Sequence, residues 1–356
     1  MQSTGKIGIS SDQEAEKVDR RISVAPMMEW TDRHCRYFLR CFSPDVLLYT
    51  EMITAAAILR GDRQRLLAFD PEEHPVALQL GGSDPEQLAQ AAAAGEEAGY
   101  CEINLNCGCP SDRVASGAFG ACLMREPARV AACVAAMRAR VRVPVTVKMR
   151  IGVVERKERE ALGLVVDFNE GEFNALQQFV AAIADAGCAR AIVHARKAVL
   201  GGLSPKENRA IPPLRYDVVR QLKRKFPALP IVVNGGFLDT AAVLDALTWS
   251  DGVMLGREAY HHPFVLAKLH LALHPEDVQP RVERSAILER MARYAERELA
   301  QGTRLAAITR HMLGLYAGEP GAREFRRILS HTAHAPGADA RLLREAARSF
   351  TAAPSG

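Results

Sequence analysis

The sequence predicts an α/β fold: a closed barrel of eight parallel strands with crossover helices, followed by a small helical bundle. Short apolar, β-rich runs alternate with helix-favouring stretches eight times over about 240 residues, the pattern of parallel strands joined by helices. Nearly every unusual polar or glycine cluster falls at the C-terminal end of one of these runs, where a (β/α)8 TIM barrel gathers its chemistry. Beyond about Ala259 the alternation stops and helical composition takes over.

The expected strands are Ile22–Ala25, Val46–Thr50, Val76–Leu80, Cys101–Leu105, Val143–Met149, Ala191–His194, Ile231–Val233 and Gly252–Leu255. Between them lie helix-favouring stretches such as Pro85–Ala98, rich in Ala, Glu and Gln, and Thr240–Leu247. A doubly wound dinucleotide-binding sheet would carry a glycine fingerprint after its first strand, and Ala25-Pro26-Met27-Met28 is not one. Residues 1–20 are polar and aperiodic and read as a flexible leader. Residues 153–174 read as an elongated loop on the chemical face of the barrel, or as disorder. His261–His274 reads as an amphipathic helix closing a barrel domain over 21–275, and Pro275–Pro280 as a linker. Segments 281–300, 303–316, 320–332 and 338–350 read as helices of a bundle over 281–350, broken at Gly302, Gly318-Glu319-Pro320 and Pro336-Gly337.

With 48% hydrophobic and 25% charged residues the chain can bury a sizeable core. Its net charge of +4 is small, but its distribution is uneven: residues 281–356 hold thirteen Arg, no Lys and eight acids. A basic tail on a near-neutral body suits an appendage that touches phosphates, although an Arg-rich helical surface alone would look the same. Eight scattered cysteines, the length and the lack of a hydrophobic signal segment argue against a disulfide scaffold and for a reducing cytoplasm. No apolar run approaches the roughly 20 residues that cross a bilayer, so no membrane is expected. The cysteines have no paired metal-ligand spacing apart from Cys107 and Cys109, no second Cys or His pair is read as supplying the remaining ligands for these two, and no metal is expected.

The clusters at the strand ends are Ala25 to Met28, Gln79-Leu80-Gly81-Gly82, Asn104 to Pro110, Lys148-Met149-Arg150, His194 to Lys197, Asn234-Gly235-Gly236 and Gly256-Arg257. Barrel phosphate sites are frequently built from the loops after strands seven and eight. Gly235, Gly236 and Gly256 let backbone N–H groups approach a phosphate, and Arg257 adds a charge-assisted bond. The same glycines could instead serve only tight turns. A phosphate held there would set a ring over the barrel axis among Gln79, Asn104, Lys148 and His194. A flavin wants amides for its pyrimidine edge and a cation near N1, the place of Lys148. Cys109 lies in a loop between Gly108 and Pro110. A free thiol, with an ordinary pKa of about 8.5, can act as a general acid at neutral pH, as reduction of an activated alkene requires. Cys35, Cys41, Cys101, Cys122, Cys133 and Cys188 read as core packing.

The stretches Ala25-Pro26-Met27-Met28-Glu29-Trp30-Thr31-Asp32 and Asn104-Leu105-Asn106-Cys107-Gly108-Cys109-Pro110-Ser111, with the four later strand-end clusters, resemble the tRNA-dihydrouridine synthase family. Thr31 to Phe38, Gly201 to Arg209 and Ile308-Thr309-Arg310-His311-Met312 resemble its bacterial A subfamily. The resemblance runs in order over roughly residues 22–345. It implies FMN held without a covalent bond in the barrel, reduced by NADPH or NADH, and a helical tRNA-binding domain on a monomeric protein. It puts Pro26, Met27, Met28, Gln79, Lys148, His194, Asn234, Gly235, Gly236, Gly256 and Arg257 at the flavin. Cys109 would give a proton to C5 of the uracil while C6 receives hydride. Asn106, Lys206, Arg209, Arg323 and Arg326 would orient the tRNA, at positions 20 and 20a of its D-loop.

Two departures from the family pattern are the long 153–174 stretch and Cys107, a second thiol expected near the site and able to form a disulfide with Cys109. A barrel flavoprotein acting on a free pyrimidine would share the flavin and the acid but leave the Arg-rich bundle unexplained. A non-catalytic RNA-binding protein would leave the strand-end clusters unexplained.

Overall fold

The structure is a computed structural model, and it describes residues 18–111, 119–155, 168–201, 203–277 and 282–351. Its first strands are β1 (Ile22–Val24), β2 (Leu47–Thr54), β3 (Val76–Gly81), β4 (Glu102–Cys107) and β5 (Val145–Arg150). They are followed by β6 (Val153–Glu155), β7 (Arg190–His194), β8 (Ala198–Leu200), β9 (Ile231–Asn234) and β10 (Gly252–Leu255). All but β6 and β8 close a parallel barrel in the order β1-β2-β3-β4-β5-β7-β9-β10. Each barrel strand matches one of the expected runs, with ends shifted by up to four residues.

Strand alternation sorts the side chains into two layers. Leu78, Leu80, Ile103, Leu105, Val145, Val147, Val193 and Val233 face outward into the layer shared with the helices. Leu47, Tyr49, Ala77, Ile192, Val232 and Met254 fill the barrel axis. The inward positions of β4 are instead Glu102, Asn104 and Asn106, all buried. Burying three polar side chains on one strand is costly unless each is hydrogen-bonded.

The expected long loop is part structure. Val153–Glu155 pairs in parallel with Ala198–Leu200, so β6 and β8 form a small second sheet beyond the ends of β5 and β7. Glu170 to Asn174 belong to the helix Glu170–Asp185, whose start is set by a capping box between Asn169 and Glu172. Residues 156–167 lie outside the described residues. Of the expected leader 1–20, residues 18–20 are described, and Arg20 reaches under the barrel to Glu102, with Nε 3.2 Å from Oε2; residues 1–17 lie outside the described residues. The expected helix His261–His274 is two, Arg257–His261 and Phe264–Leu273. Pro263 explains the break: it lacks an N–H and drives the preceding His262 out of the helical region.

The C-terminal region forms the helices Arg284–Ala300, Leu305–Thr309, Ala322–His331 and Arg341–Thr351. The second covers only part of the expected 303–316; beyond it, at Gly314, a Cβ would lie 2.4 Å from the carbonyl oxygen of His261. The region docks on the helix Arg33–Arg40. Tyr294 stacks on Tyr37 with ring centroids 3.9 Å apart, and its hydroxyl lies 2.7 Å from His34 Nδ1. Asp32 caps that helix through Cys35 N–H and also binds Arg310 at 2.5 Å and His311 at 3.0 Å. Burial works against ionisation of Asp32, yet the hydrogen bonds and charge from His311 and Arg310 hold its carboxyl well below the usual range.

Asp32→Ala should therefore cost about 2–3 kcal/mol, from a lost cap and a broken half-buried ion pair, measured by denaturant unfolding. The native carboxyl titrates below its unfolded value of about 3.9. Its contribution is then full above about pH 4 and is lost as pH falls through the native value, so the difference between wild type and variant should shrink only in strong acid.

Candidate active site

The C-terminal ends of the strands form one mouth, and register decides which side chains meet there. Gln79 lies beside Asn104, Asn106 beside Lys148, and His194 beside Asn234. A ladder of side-chain hydrogen bonds climbs the barrel interior to this level. Tyr49 Oη and Thr146 Oγ1 donate to Glu102 at the floor, the latter at 2.8 Å. Asn104 Nδ2 donates to Thr146 Oγ1 at 2.8 Å, and Gln79 Nε2 to Asn104 Oδ1 at 2.8 Å. Asn106 Nδ2 donates to Gln79 Oε1 at 3.1 Å. At the top, Asn106 Oδ1 accepts the N–H groups of Gly108 at 2.9 Å and Cys109 at 3.0 Å. The loop that carries Cys109 is thus fixed through an amide whose own orientation is set from below. Cys109 is half-buried, and its carbonyl is tied to Ala121 N–H at 2.9 Å.

Lys148 and Arg150 leave the same strand with opposite fates. Arg150 is spent on carbonyls: Nε on Gly108, and Nη1 on Lys197 and Asn208, at 3.1–3.2 Å. It ties together the loops after β4 and β7. Lys148 has no hydrogen bond or ion pair among the described residues, and desolvation, helped by the charge of Arg150, lowers its pKa to about 7. A cation left unpaired in such a place is poised for an electron-rich partner.

His194 donates from Nδ1 to Asn234 Oδ1 at 2.8 Å, a tautomer set by Asn234 Nδ2, which donates to Met254 O at 2.7 Å. Its Nε2 is buried and makes no hydrogen bond. Desolvation and the charges of Arg150 and Lys148 push its pKa well below the ordinary value, so the ring is neutral. Gly235 has φ 112°, and a Cβ there would come within 3.3 Å of His194 Nε2. Around Gly256 a Cβ would meet nothing within 4 Å, so a ligand can approach that backbone closely. The N–H groups of Gly235, Gly236 and Gly256 have no partner among the described residues. Arg257 is exposed beside them, and its charge depresses the pKa of both Arg196 and Arg209 after desolvation.

These features fit a flavin phosphate ester. Open N–H groups and Arg257 suit the phosphate, and the orphaned Nε2, the spare N–H of Gln79 and unpaired Lys148 suit a polar ring edge. Pro26 to Met28 enter a turn closed by Thr31, whose Oγ1 accepts Met27 N–H at 2.9 Å; Met27 is thereby satisfied within the turn, and Met28 is exposed. Lys206 and Arg209 are exposed on the loop after β8, a loop splinted by buried Asn208 through Val199 and Leu203. Arg323 and Arg326 are exposed, three residues apart on the helix Ala322–His331.

The expectation of a second thiol at the site is corrected. Cys107 is on the outward face of β4, fully buried in the helix layer, because alternation sends it away from Asn106. Burial pushes its thiol pKa well up. Glu102, Thr146 and Asn208 were missed by the sequence reading. Polar residues at alternate positions of an otherwise apolar strand, Glu102, Asn104 and Asn106, were the available signal.

The family profile of dihydrouridine synthase (Dus) matches residues 23–351. The chain is 53% identical over 326 residues to a tRNA-dihydrouridine(20/20a) synthase of Xanthomonas axonopodis pv. citri, covering 92% of each chain. It is 52% identical over 327 residues to one of Vibrio cholerae, covering 92% of this chain and 95% of the relative. A relative of the same name from Synechocystis sp. is 53% identical over 326 residues, covering 91% of this chain and 93% of its own. No helix among the described residues is long and apolar enough to cross a membrane. The barrel, the strand-end cysteine loop and these similarities agree: the chain belongs to the dihydrouridine synthase family.

Proposed function

We propose that this protein is a monomeric, cytoplasmic tRNA-dihydrouridine synthase that reduces uridines 20 and 20a of the D-loop, with FMN as cofactor and NADPH or NADH as electron source. The observation that carries this reading is Cys109 on a splinted loop at a mouth that also holds an unpaired lysine and an orphaned imidazole nitrogen. When bound, FMN supplies the hydride that C6 of the uracil receives. Gly235, Gly236, Gly256 and Arg257 would hold its phosphate, and Pro26 to Met28 would contribute backbone contacts. Gln79, Lys148, His194 and Asn234 would hold its ring, where Lys148 would supply positive charge to offset the negative charge gained on reduction. Cys109 Sγ–H gives its proton to C5, and the thiolate left behind regains a proton from solvent. Asn106 keeps the thiol in place and has no spare acceptor once Gly108 and Cys109 occupy its oxygen.

A uridine in a folded tRNA must leave its stack to reach the mouth, which costs a few kcal/mol. Phosphate contacts from Lys206 and Arg209 at the rim and from Arg323 and Arg326 on the helical module over 281–350 offset that cost. A rival substrate, free uridine, would make no use of these arginines.

The direct test is anaerobic: purified protein should carry flavin absorbance, and its reduced form should reoxidise on adding unmodified tRNA but not uridine. Colourless protein that takes up no FMN would reject the reading. Cys109→Ala should keep its flavin and lose about 10²–10⁴-fold in single-turnover reoxidation by tRNA. Since Lys148 titrates near 7 without its ligand and an electron-rich ligand favours the charged form, binding takes up a proton. FMN affinity should weaken as pH rises above about 7, and Lys148→Met should flatten that dependence in a flavin-fluorescence titration. Arg323→Ala with Arg326→Ala should weaken tRNA binding and lower the slope of log K against log salt by about 1–2; an unchanged slope would remove both residues from the interface.

A further inference from the structure

The floor of the barrel, opposite the mouth, holds a second chemically distinctive cluster. His270 and His274 lie one turn apart at the end of the helix Phe264–Leu273, with rings stacked at 5.1 Å. They face Asp45, just before β2, and Asp19, just before β1. His270 Nδ1 is 2.8 Å from Asp45 Oδ2, and His274 Nε2 is 3.8 Å from the same oxygen and 3.3 Å from Asp19 Oδ2. One ligand atom from each of Asp45, His270 and His274 can be chosen so that all lie within 4.8 Å of one another. A cavity of about 20 Å³ sits among these side chains, room for one water or ion.

Two features separate this cluster from ordinary surface ion pairs. His270 is 7% exposed, and neither of its buried ring nitrogens makes a hydrogen bond of acceptable geometry among the described residues. The carboxylates of Asp45 and Asp277, at 2.8 and 3.3 Å, lie too far off the ring's N–H directions. The ring is therefore buried and polar, faced by two carboxylates but without a hydrogen bond among the described residues, and it lines the cavity. His274 points the same way for another reason. Arg21 Nη2 lies 3.1 Å from its Nε2, and a guanidinium can only donate, so that nitrogen carries a lone pair, which Arg21 occupies and an ion would take over.

We propose that Asp45, His270 and His274 form a binding site for one divalent transition ion of the Zn²⁺ class. Two imidazoles and one carboxylate, with water at the fourth position, are a donor set that zinc accepts. Tetrahedral bonds of about 2.0–2.1 Å set neighbouring ligand atoms about 3.3 Å apart, and the 2.8 and 3.8 Å from Asp45 Oδ2 to the two imidazoles bracket that value. Glu276, 3.8 Å from His274 Nδ1, and Asp277 add negative charge around the site, against Arg21. Arg21, half-exposed and ion-paired with Asp19 at 2.7 Å, is the competitor for His274 Nε2. The ion would clasp two separate segments under the barrel: the entry to β2 and the closing helix. Its effect is on stability and is independent of chemistry at the mouth.

The test uses the full-length protein after chelator treatment, titrated with Co²⁺ as a spectroscopic probe and with Zn²⁺. The expected result is one Co²⁺ per chain with the intense visible bands of tetrahedral N/O ligation, displaced by Zn²⁺, and a melting temperature raised by Zn²⁺. His274→Ala and Asp45→Asn alter partly exposed side chains and should fold; each should weaken binding at least tenfold and abolish the Zn²⁺ shift in melting temperature. Binding that is undiminished in both variants, a Co²⁺ spectrum with thiolate charge-transfer bands, or no stoichiometric binding to the wild type would overturn the proposal.

Discussion

The interaction on which the site depends is the column of side-chain hydrogen bonds inside the barrel. A TIM barrel interior is ordinarily filled by apolar layers. Here half of it is, with Leu47, Tyr49, Ala77, Ile192, Val232 and Met254, while the side lined by β3, β4 and β5 is polar. Those polar groups are tolerable because each is bonded to the next, from Glu102 through Thr146, Asn104 and Gln79 to Asn106. A partly satisfied network would be worse than an apolar core. Its completeness gives the upper rungs a single amide orientation, and that orientation places the Cys109 backbone.

Above the column, the mouth is an excess of positive charge in a poorly solvated place. Burial and neighbouring cations depress the pKa values of Lys148, Arg150 and Arg209. Arg150 relieves its burial by binding three carbonyls, which also fixes the loops around it. Lys148 has no such relief. The arrangement stores a preference for an anionic or electron-rich ligand, and the neutral His194 beside it has one nitrogen equally unsatisfied.

The helical module is joined to this machinery through the first βα loop. Asp32 starts the helix Arg33–Arg40 and at the same time grips Arg310 and His311. The turn that contains Met27 and Met28 ends at Asp32, so the loop at one edge of the mouth and the module that bears Arg323 and Arg326 share one residue. Gly314 permits the close backbone approach to His261 that completes the docking.

Sequence alone determined the eight barrel strands, the position of the mouth and which strand ends carry Cys109, Lys148, His194 and the glycine loops. These were legible because strand period, helix composition and strand-end clusters are local properties. The direction in which a side chain points followed from alternation, and it sent Asn106 to the axis and Cys107 to the helix layer; the sequence reading had put both at the site. Tertiary structure alone decided the hydrogen-bonded column, whose partners come from four strands, and the spending of Arg150 against the idleness of Lys148. It also decided the meeting of Asp19 and Asp45 with His270 and His274 beneath the barrel. Each of these depends on register and on closure of the barrel, which join residues far apart in the chain and leave no local pattern to read.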